Sequence, residues 1–249
     1  MLYELSYRQP LVRSLQEEFA LSLGFTVQGN SQSFVFGSSR LRSPGTSRNR
    51  VLSFGQDYIS RDNRGAWALQ SQFSFGLDIL DAIVNRTSNG SFFSWLGQVQ
   101  RAQQLDNNNL LILQADVQLT PDNIPAFYQF FIGGGQSVRG YRQNARFGDY
   151  GYRLSVEDRI PIVRDRVSIP TLQVAPFVDV GQVYNNNPSN RTNSRISQAF
   201  LAGAGLGLIW QPTPPLYIRL DYGAHLVNLR DRGNSLQDNG LYFSVVYNP

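Results

Sequence analysis

Apolar and polar residues alternate one by one through most of this chain, and that period limits what it can fold into. In the clearest run, Leu216, Ile218, Leu220, Tyr222, Ala224 and Leu226 form one face, while Tyr217, Arg219, Asp221, Gly223 and His225 form the other. Successive side chains of a strand point to opposite faces, so such a run is a strand with one apolar and one polar side. The split recurs in 18–28, 66–79 and 110–120, and in 199–211, where Phe200, Leu206, Leu208 and Trp210 oppose Gly203, Gly205 and Gly207. About eleven strands are expected, near 2–9, 17–29, 51–61, 66–79, 92–104, 110–120, 152–162, 171–184, 199–211, 216–227 and 241–248. Many exceed the roughly 5–6 residues usual in soluble sheets and suit a tilted membrane strand of about 9–11. No segment combines a helical stripe, a cap and sufficient length.

The connections sort by length. Short ones (10–16, 62–65, 105–109, 163–170, 212–215) alternate with long polar ones (30–50, 80–91, 121–151, 185–198, 228–240). Outer-membrane barrels show this pattern, whereas a soluble β-sandwich or closed barrel, the alternative, has no reason to sort its loops. The expected fold is all-β, an antiparallel transmembrane β-barrel within a single domain over 1–249. Mean hydropathy is −0.28, and no stretch approaches the roughly 18–20 apolar residues of a spanning helix. That excludes helical spans only, since barrel strands average out polar. Trp67, Phe92, Phe93, Trp95, Trp210, Tyr217, Tyr242 and Tyr247 lie near strand ends and fit interfacial girdles.

Other chemistries find little support. With no cysteine, disulfides and thiolate sites are excluded. The net charge of +4 is spread out and forms no nucleic-acid footprint. His225, the single histidine, sits on a polar strand face without the partners of a triad or metal site. The glycines at 133–135 lack the lysine, hydroxyl residue and helix of a phosphate loop. Asp78, Asp116 and Asp221 line the presumed lumen, where hydration accounts for them. Asn85-Arg86-Thr87 and Asn190-Arg191-Thr192 read as polar loop residues. No enzyme activity, cofactor or metal is expected. Met1-Leu2-Tyr3-Glu4 enters a strand pattern at once, with no signal peptide, which implies a mature chain or a fragment beginning inside a domain.

The loop 121–151 carries Gly133-Gly-Gly-Gln-Ser-Val-Arg-Gly-Tyr141, and a strand beyond it carries Pro176-Phe-Val-Asp-Val-Gly181. In 171–184, Leu172, Val174, Val178, Val180 and Tyr184 share a face suited to lipid, so Asp179 points into the lumen with Gln173 and Gly181. In 152–162, Glu157 likewise shares the inner face with Arg153, Ser155 and Arg159, and Asp158 falls on the lipid face, where an interface position or a local bulge would accommodate its charge. An inward-folded loop places the Arg139 guanidinium between Asp179 and Glu157, and a planar fork suits carboxylates. The plain alternative is a solvated loop arginine.

These residues carry a resemblance. Gly134 to Tyr141 is similar to the sixth-external-loop tip of POTRA-bearing outer-membrane transporters, the BamA-type insertases and the TpsB (haemolysin secretion/activation) proteins of two-partner secretion. Pro176–Gly181 resembles their barrel-wall motif, Arg153–Pro161 resembles the strand after the loop, and five strands follow it. Tyr7–Leu11 and Glu17–Phe25 look closest to the TpsB branch. The resemblance implies a sixteen-stranded barrel of which this chain matches the last eleven strands, N-terminally truncated, without POTRA domains. It implies a lumen loop with Gly135, Val138, Arg139, Gly140 and Tyr141 at its tip, latched to Asp179 and Glu157. It further implies outer-membrane localisation, with lipid, the barrel-assembly machinery and a secreted, unfolded exoprotein as partners, and no nucleic acid. Since an odd strand number does not close in the ordinary way, a partner chain or oligomer would complete the barrel. A passive porin-like channel and a non-functional barrel fragment are the alternatives.

Overall fold

The computed structural model describes residues 2–31, 34–36, 39–41, 46–77, 91–166, 168–186 and 199–248. Fifteen strands follow in order: β1 Leu2–Arg13, β2 Glu17–Ser31, β3 Phe34–Phe36, β4 Ser39–Leu41, β5 Thr46–Asp62, β6 Gly65–Gly76, β7 Phe92–Gln104, β8 Leu110–Leu119, β9 Phe130–Ile132, β10 Arg146–Gly148, β11 Tyr150–Arg164, β12 Pro170–Tyr184, β13 Phe200–Thr213, β14 Leu216–His225 and β15 Leu241–Tyr247. Eleven of them form one sheet in the order β1-β2-β5-β6-β7-β8-β11-β12-β13-β14-β15, and β3-β4 and β9-β10 are small separate ribbons. Every described pair in the large sheet is antiparallel. Each long alternating run of the sequence is thus one strand. Several strands run longer than their apolar patterns: β1 reaches Arg13 and β5 begins at Thr46, because ladder hydrogen bonds continue into polar flanks.

Register fixes which face each side chain takes. Asp57, Gln70, Gln98, Asp116, Arg153 and Gly181 lie in one cross-strand row. The row two residues nearer the short turns holds Ala68, Gln100, Gln114, Ser155, Asp179 and Gly203. This polar side is the inner face. The outer face is apolar and open: Leu113, Leu154, Val156, Val178, Leu206, Leu208, Leu220 and Tyr222 are all exposed, as a lipid-facing band requires.

The largest cluster of buried apolar side chains lies on the inner side, under the loop 121–151. Phe130, Ile132, Val138, Tyr141 and Ala145 of the loop pack with Val183 and Leu201 of the wall. A smaller cluster joins Val51 and Phe92 to Ile124. In the sheet itself an aqueous lumen and lipid replace a conventional core.

Two expectations change, and one is narrowed. Phe92, Tyr217 and Tyr242 share the inner face with Ser94, Arg219 and Asp221, so they are not girdle residues; an aromatic near a strand end looks the same whichever face it takes. Asp158 faces outward but lies level with the 105–109 turn, where Asn109 Nδ2 donates to its Oδ2 at 2.8 Å. A carboxylate there sits at the interface, one of the two positions expected for it, and the register shows no bulge at 158. Asp116 and Asp221 are ion-paired rather than hydrated. Asp78, both Asn-Arg-Thr triplets and most of the loops 80–91 and 185–198 lie outside the described residues.

The face assignment predicts that Val178→Arg destabilises the chain folded in lipid vesicles by about 2–4 kcal/mol. Gln114→Arg, on the inner face, should cost far less, and urea unfolding in vesicles checks both.

Candidate functional site

The loop is tied down at its root. Asp149 is buried, and its carboxylate accepts the Ile124 and Asn186 backbone N–H groups at 3.2 and 2.9 Å and Gln129 Nε2 at 3.2 Å. The β9-β10 ribbon then carries the segment 133–145 inward, and the apolar contacts of Ile132, Val138 and Tyr141 hold it against β12 and β13. Fully burying such side chains is worth roughly 1.5–3 kcal/mol each.

At the tip, the Arg139 fork meets Asp179: Nε donates to Oδ2 at 2.7 Å and Nη2 to Oδ1 at 2.8 Å. The Arg139 backbone N–H also donates to Asp179 Oδ2, at 3.0 Å. Nη1 donates to Glu157 Oε2 at 2.5 Å, and Nη2 reaches Ser155 Oγ at 3.3 Å. The Ser155 hydroxyl donates in turn to Asp179 Oδ1 at 2.6 Å. The guanidinium lies over Phe177, its Cζ 3.4 Å from the ring centre, a cation-π contact that strengthens away from water. Arg139 is 5% exposed and Asp179 fully buried. Burial alone would lower the Arg139 pKa, and the bonds and charge of Asp179 and Glu157 outweigh it and leave it raised.

The wall supplies its own balance. Glu157 also accepts Arg219 Nη2 at 2.7 Å and Arg159 Nε at 2.8 Å, and Arg219 Nε donates to Asp221 Oδ2 at 2.7 Å. Arg139, Arg159 and Arg219 thus match Glu157, Asp179 and Asp221 charge for charge. All 22 basic residues of the chain are arginine, and only a fixed fork bonds two carboxylates in defined directions at once.

Backbone closeness completes the seat. Gly140 has φ +101°, a left-handed conformation that other residues resist. A Cβ on Gly203 would overlap the Arg139 carbonyl oxygen, and one on Gly223 would lie 2.7 Å from the Gly140 nitrogen. Tyr242 Oη accepts the Gly140 N–H at 2.8 Å and donates to the Tyr141 carbonyl at 2.6 Å. Tyr141 Oη donates to the Ala202 carbonyl at 2.7 Å and accepts the Val227 N–H at 3.0 Å. Burial pushes the Tyr141 phenol pKa up, so the hydroxyl stays a donor at neutral pH.

On the far side of the loop, Arg146 Nη2 and Arg142 Nη2 reach Asp231 Oδ1 and Oδ2 at 2.7 and 3.2 Å. The Gln143 N–H donates to Gln237 Oε1 at 3.0 Å. The connection 226–240 therefore grips the loop from outside.

The structure brings Val138, Arg139, Gly140, Tyr141, Asp179 and Glu157 together. Gly135 lies beside the Tyr242 ring instead, its Cβ position 3.2 Å from Cδ1. Sequence reasoning missed Ser155, Phe177, Arg219, Asp221 and Tyr242 as partners. Ser155, Arg219 and Asp221 were legible as inner-face residues, but their pairing was not. His225 is held by Asn228 Oδ1 at 2.9 Å and Arg232 Nη1 at 3.0 Å. Among the described residues, no group of His, Asp and Glu side chains is arranged to ligate a metal.

Asp179→Asn should loosen the loop by about 3–5 kcal/mol, because it strands a buried cation. Glu157→Gln should cost less, about 1.5–3 kcal/mol, since Asp179 still neutralises Arg139. Amide exchange of residues 138–141 reads both. The Arg146 hydrogen bond holds the Asp231 carboxyl below its ordinary range. The Asp231 clamp is therefore fully present above the unfolded value of about 3.9 and is lost as pH falls through the lower folded value. Protease sensitivity of 142–146 should rise only in that acid window, and Asp231→Asn should abolish the pH dependence.

The family of haemolysin secretion/activation proteins ShlB/FhaC/HecB matches residues 3–209. No curated protein sequence matches the chain. Among solved structures, CdiB from Escherichia coli superposes with a TM-score of 0.75 at 18% identity, over 99% of this chain and 45% of that one. CdiB from Acinetobacter baumannii gives 0.72 at 17% identity, over 99% and 41%. BamA from Haemophilus ducreyi lacking POTRA domains 1–3 gives 0.66 at 12% identity, over 98% and 53%. The chain spans between 41% and 53% of the length of these structures, and at such identities they report the fold. With most of its strands matched in sequence as well as in fold, this outer-membrane β-barrel chain belongs to the haemolysin secretion/activation family ShlB/FhaC/HecB.

Proposed function

We propose that this chain is the barrel portion of an outer-membrane transporter of two-partner secretion, which passes an unfolded exoprotein through its lumen. The loop 121–151 is a displaceable plug, and the Arg139 fork on Asp179, backed by Glu157, is its latch. The observation that carries this reading is a fully buried carboxylate on the inner wall reserved for a loop arginine. A passive pore has no need of it. Removing one partner of such a pair costs several kcal/mol, enough to hold the loop until an arriving chain competes for the space.

The same reading covers the remaining partners. The apolar outer face meets outer-membrane lipid, and the barrel-assembly machinery inserts the chain. Among the described pairings, β1 bonds only β2 and β15 only β14, and β1 is exposed on both faces. Unpaired backbone groups are costly in hydrocarbon, so a further strand or a second chain completes the seam. Native mass spectrometry of the detergent-folded chain tests the second-chain form, which a strictly monomeric species would rule out.

The latch makes a prediction for planar bilayers. Arg139→Ala and Asp179→Asn should each raise mean conductance or open probability several-fold, with heat-modifiable gel mobility retained. Unchanged conductance in both variants would leave a passive porin-like pore as the better account.

A further inference from the structure

Charge is divided unevenly around the inner face. The inner residues of β11, β12 and β14 include Arg153, Glu157, Arg159, Asp179, Arg219 and Asp221, and this is the side the loop covers. The inner faces of β6 and β7 carry no charge at all: Ala66, Ala68, Gln70, Gln72 and Ser74 on one, Ser94, Leu96, Gln98, Gln100 and Ala102 on the other. β8 adds Gln114 beside Gln100, and its one acid there, Asp116, is neutralised by Arg153.

Height matters as much as charge. Leu96 and Gln118, in the upper rows, already serve the loop: Leu96 packs on its apolar cluster, and Gln118 Nε2 donates to the Tyr128 and Asp149 carbonyls at 3.0 and 2.9 Å. The rows below, towards the short turns, hold Gln70 with Gln98 and Gln100 with Gln114, level with Arg153 and with Asp179. Gln70 and Gln100 are exposed, and Gln98 and Gln114 half-buried. Among the described residues, the carboxamides of Gln70, Gln100 and Gln114 have no hydrogen-bond partner, while Gln98 donates only to Asp116, at 3.2 Å. Amide groups with open donors and acceptors therefore stand on adjacent strands, in the rows of the latch and beside it, Gln114 directly opposite Ser155.

Resting on the transport reading above, we infer that this carboxamide wall, formed by Gln70, Gln98, Gln100 and Gln114, is the surface along which the transported polypeptide runs. A carboxamide offers both a donor and an acceptor, the two groups that every extended peptide unit presents. Repeated on neighbouring strands, it bonds a passing backbone in many registers, each bond weak. A charged wall would instead trap segments of opposite sign and repel those of like sign. The fitted partner is an extended, largely uncharged polypeptide segment entering from the short-turn side.

The test uses the chain folded in lipid vesicles, with folding checked by heat-modifiable mobility. The probe is a 20-residue peptide of Ser, Thr, Asn, Gln and Gly with a central diazirine, and adducts are located by mass spectrometry after photolysis. Adducts are expected on Gln70, Gln98, Gln100 and Gln114, with a several-fold higher yield in Arg139→Ala. Gln100→Glu should favour an arginine-bearing version of the peptide by at least about threefold. Adducts confined to the inner faces of β11–β14 would overturn the wall assignment and leave the transport reading standing. Adducts only on the outer face at Leu69 and Val99, or none, would overturn both. Equal competition by a malto-oligosaccharide of matching length would overturn the polypeptide assignment alone.

Discussion

A guanidinium in a space closed to water must be neutralised where it lies, and Arg139 determines how the inner half of this barrel is built. Its charge calls for Asp179 and Glu157, and their surplus charge calls for Arg159 and Arg219, with Asp221 closing the set. The glycines at 203 and 223 exist on the wall because the arginine's own backbone must touch it. Remove the arginine and the wall keeps a buried acid whose main cation is gone, a state far costlier than either the full set or an apolar replacement.

The interaction is strong because it is dry, and it is dry because of the loop that carries it. Ile132, Val138 and Tyr141 close over Val183 and Leu201, so apolar burial and ion pairing each depend on the other. Hydrogen bonds from Tyr242 and Tyr141 tie β15, β13 and the connection after β14 to the same few residues of the loop.

Much of this was legible in the sequence, for a definite reason. Period-two alternation states which face a residue takes, so Asp179 and Glu157 could be assigned inward and matched to an arginine in a glycine-flanked loop. Alternation does not state which residue of a neighbouring strand stands opposite. Arg219 reaches Glu157 across 62 positions of sequence, a pairing that depends on strand register and sheet curvature. Phe92 and Tyr242 were misplaced as girdle residues because composition near a strand end was weighed above parity. Counting from Ser94 and from Ser244, each on the same strand, would have turned both inward. The clamp from Asp231 lay beyond sequence reasoning, since it joins two irregular connections whose proximity only the folded sheet creates.

The central claim is that the loop tip rests inside the lumen and is held there by Asp179. The chain has no cysteine, so Val138→Cys, at a fully buried position next to Arg139 in sequence, gives a clean reporter in lipid vesicles. The account predicts that a membrane-impermeant maleimide leaves this cysteine nearly untouched, and that adding Asp179→Asn raises its labelling rate at least tenfold. Rapid labelling with Asp179 intact, or no change on its substitution, would contradict it.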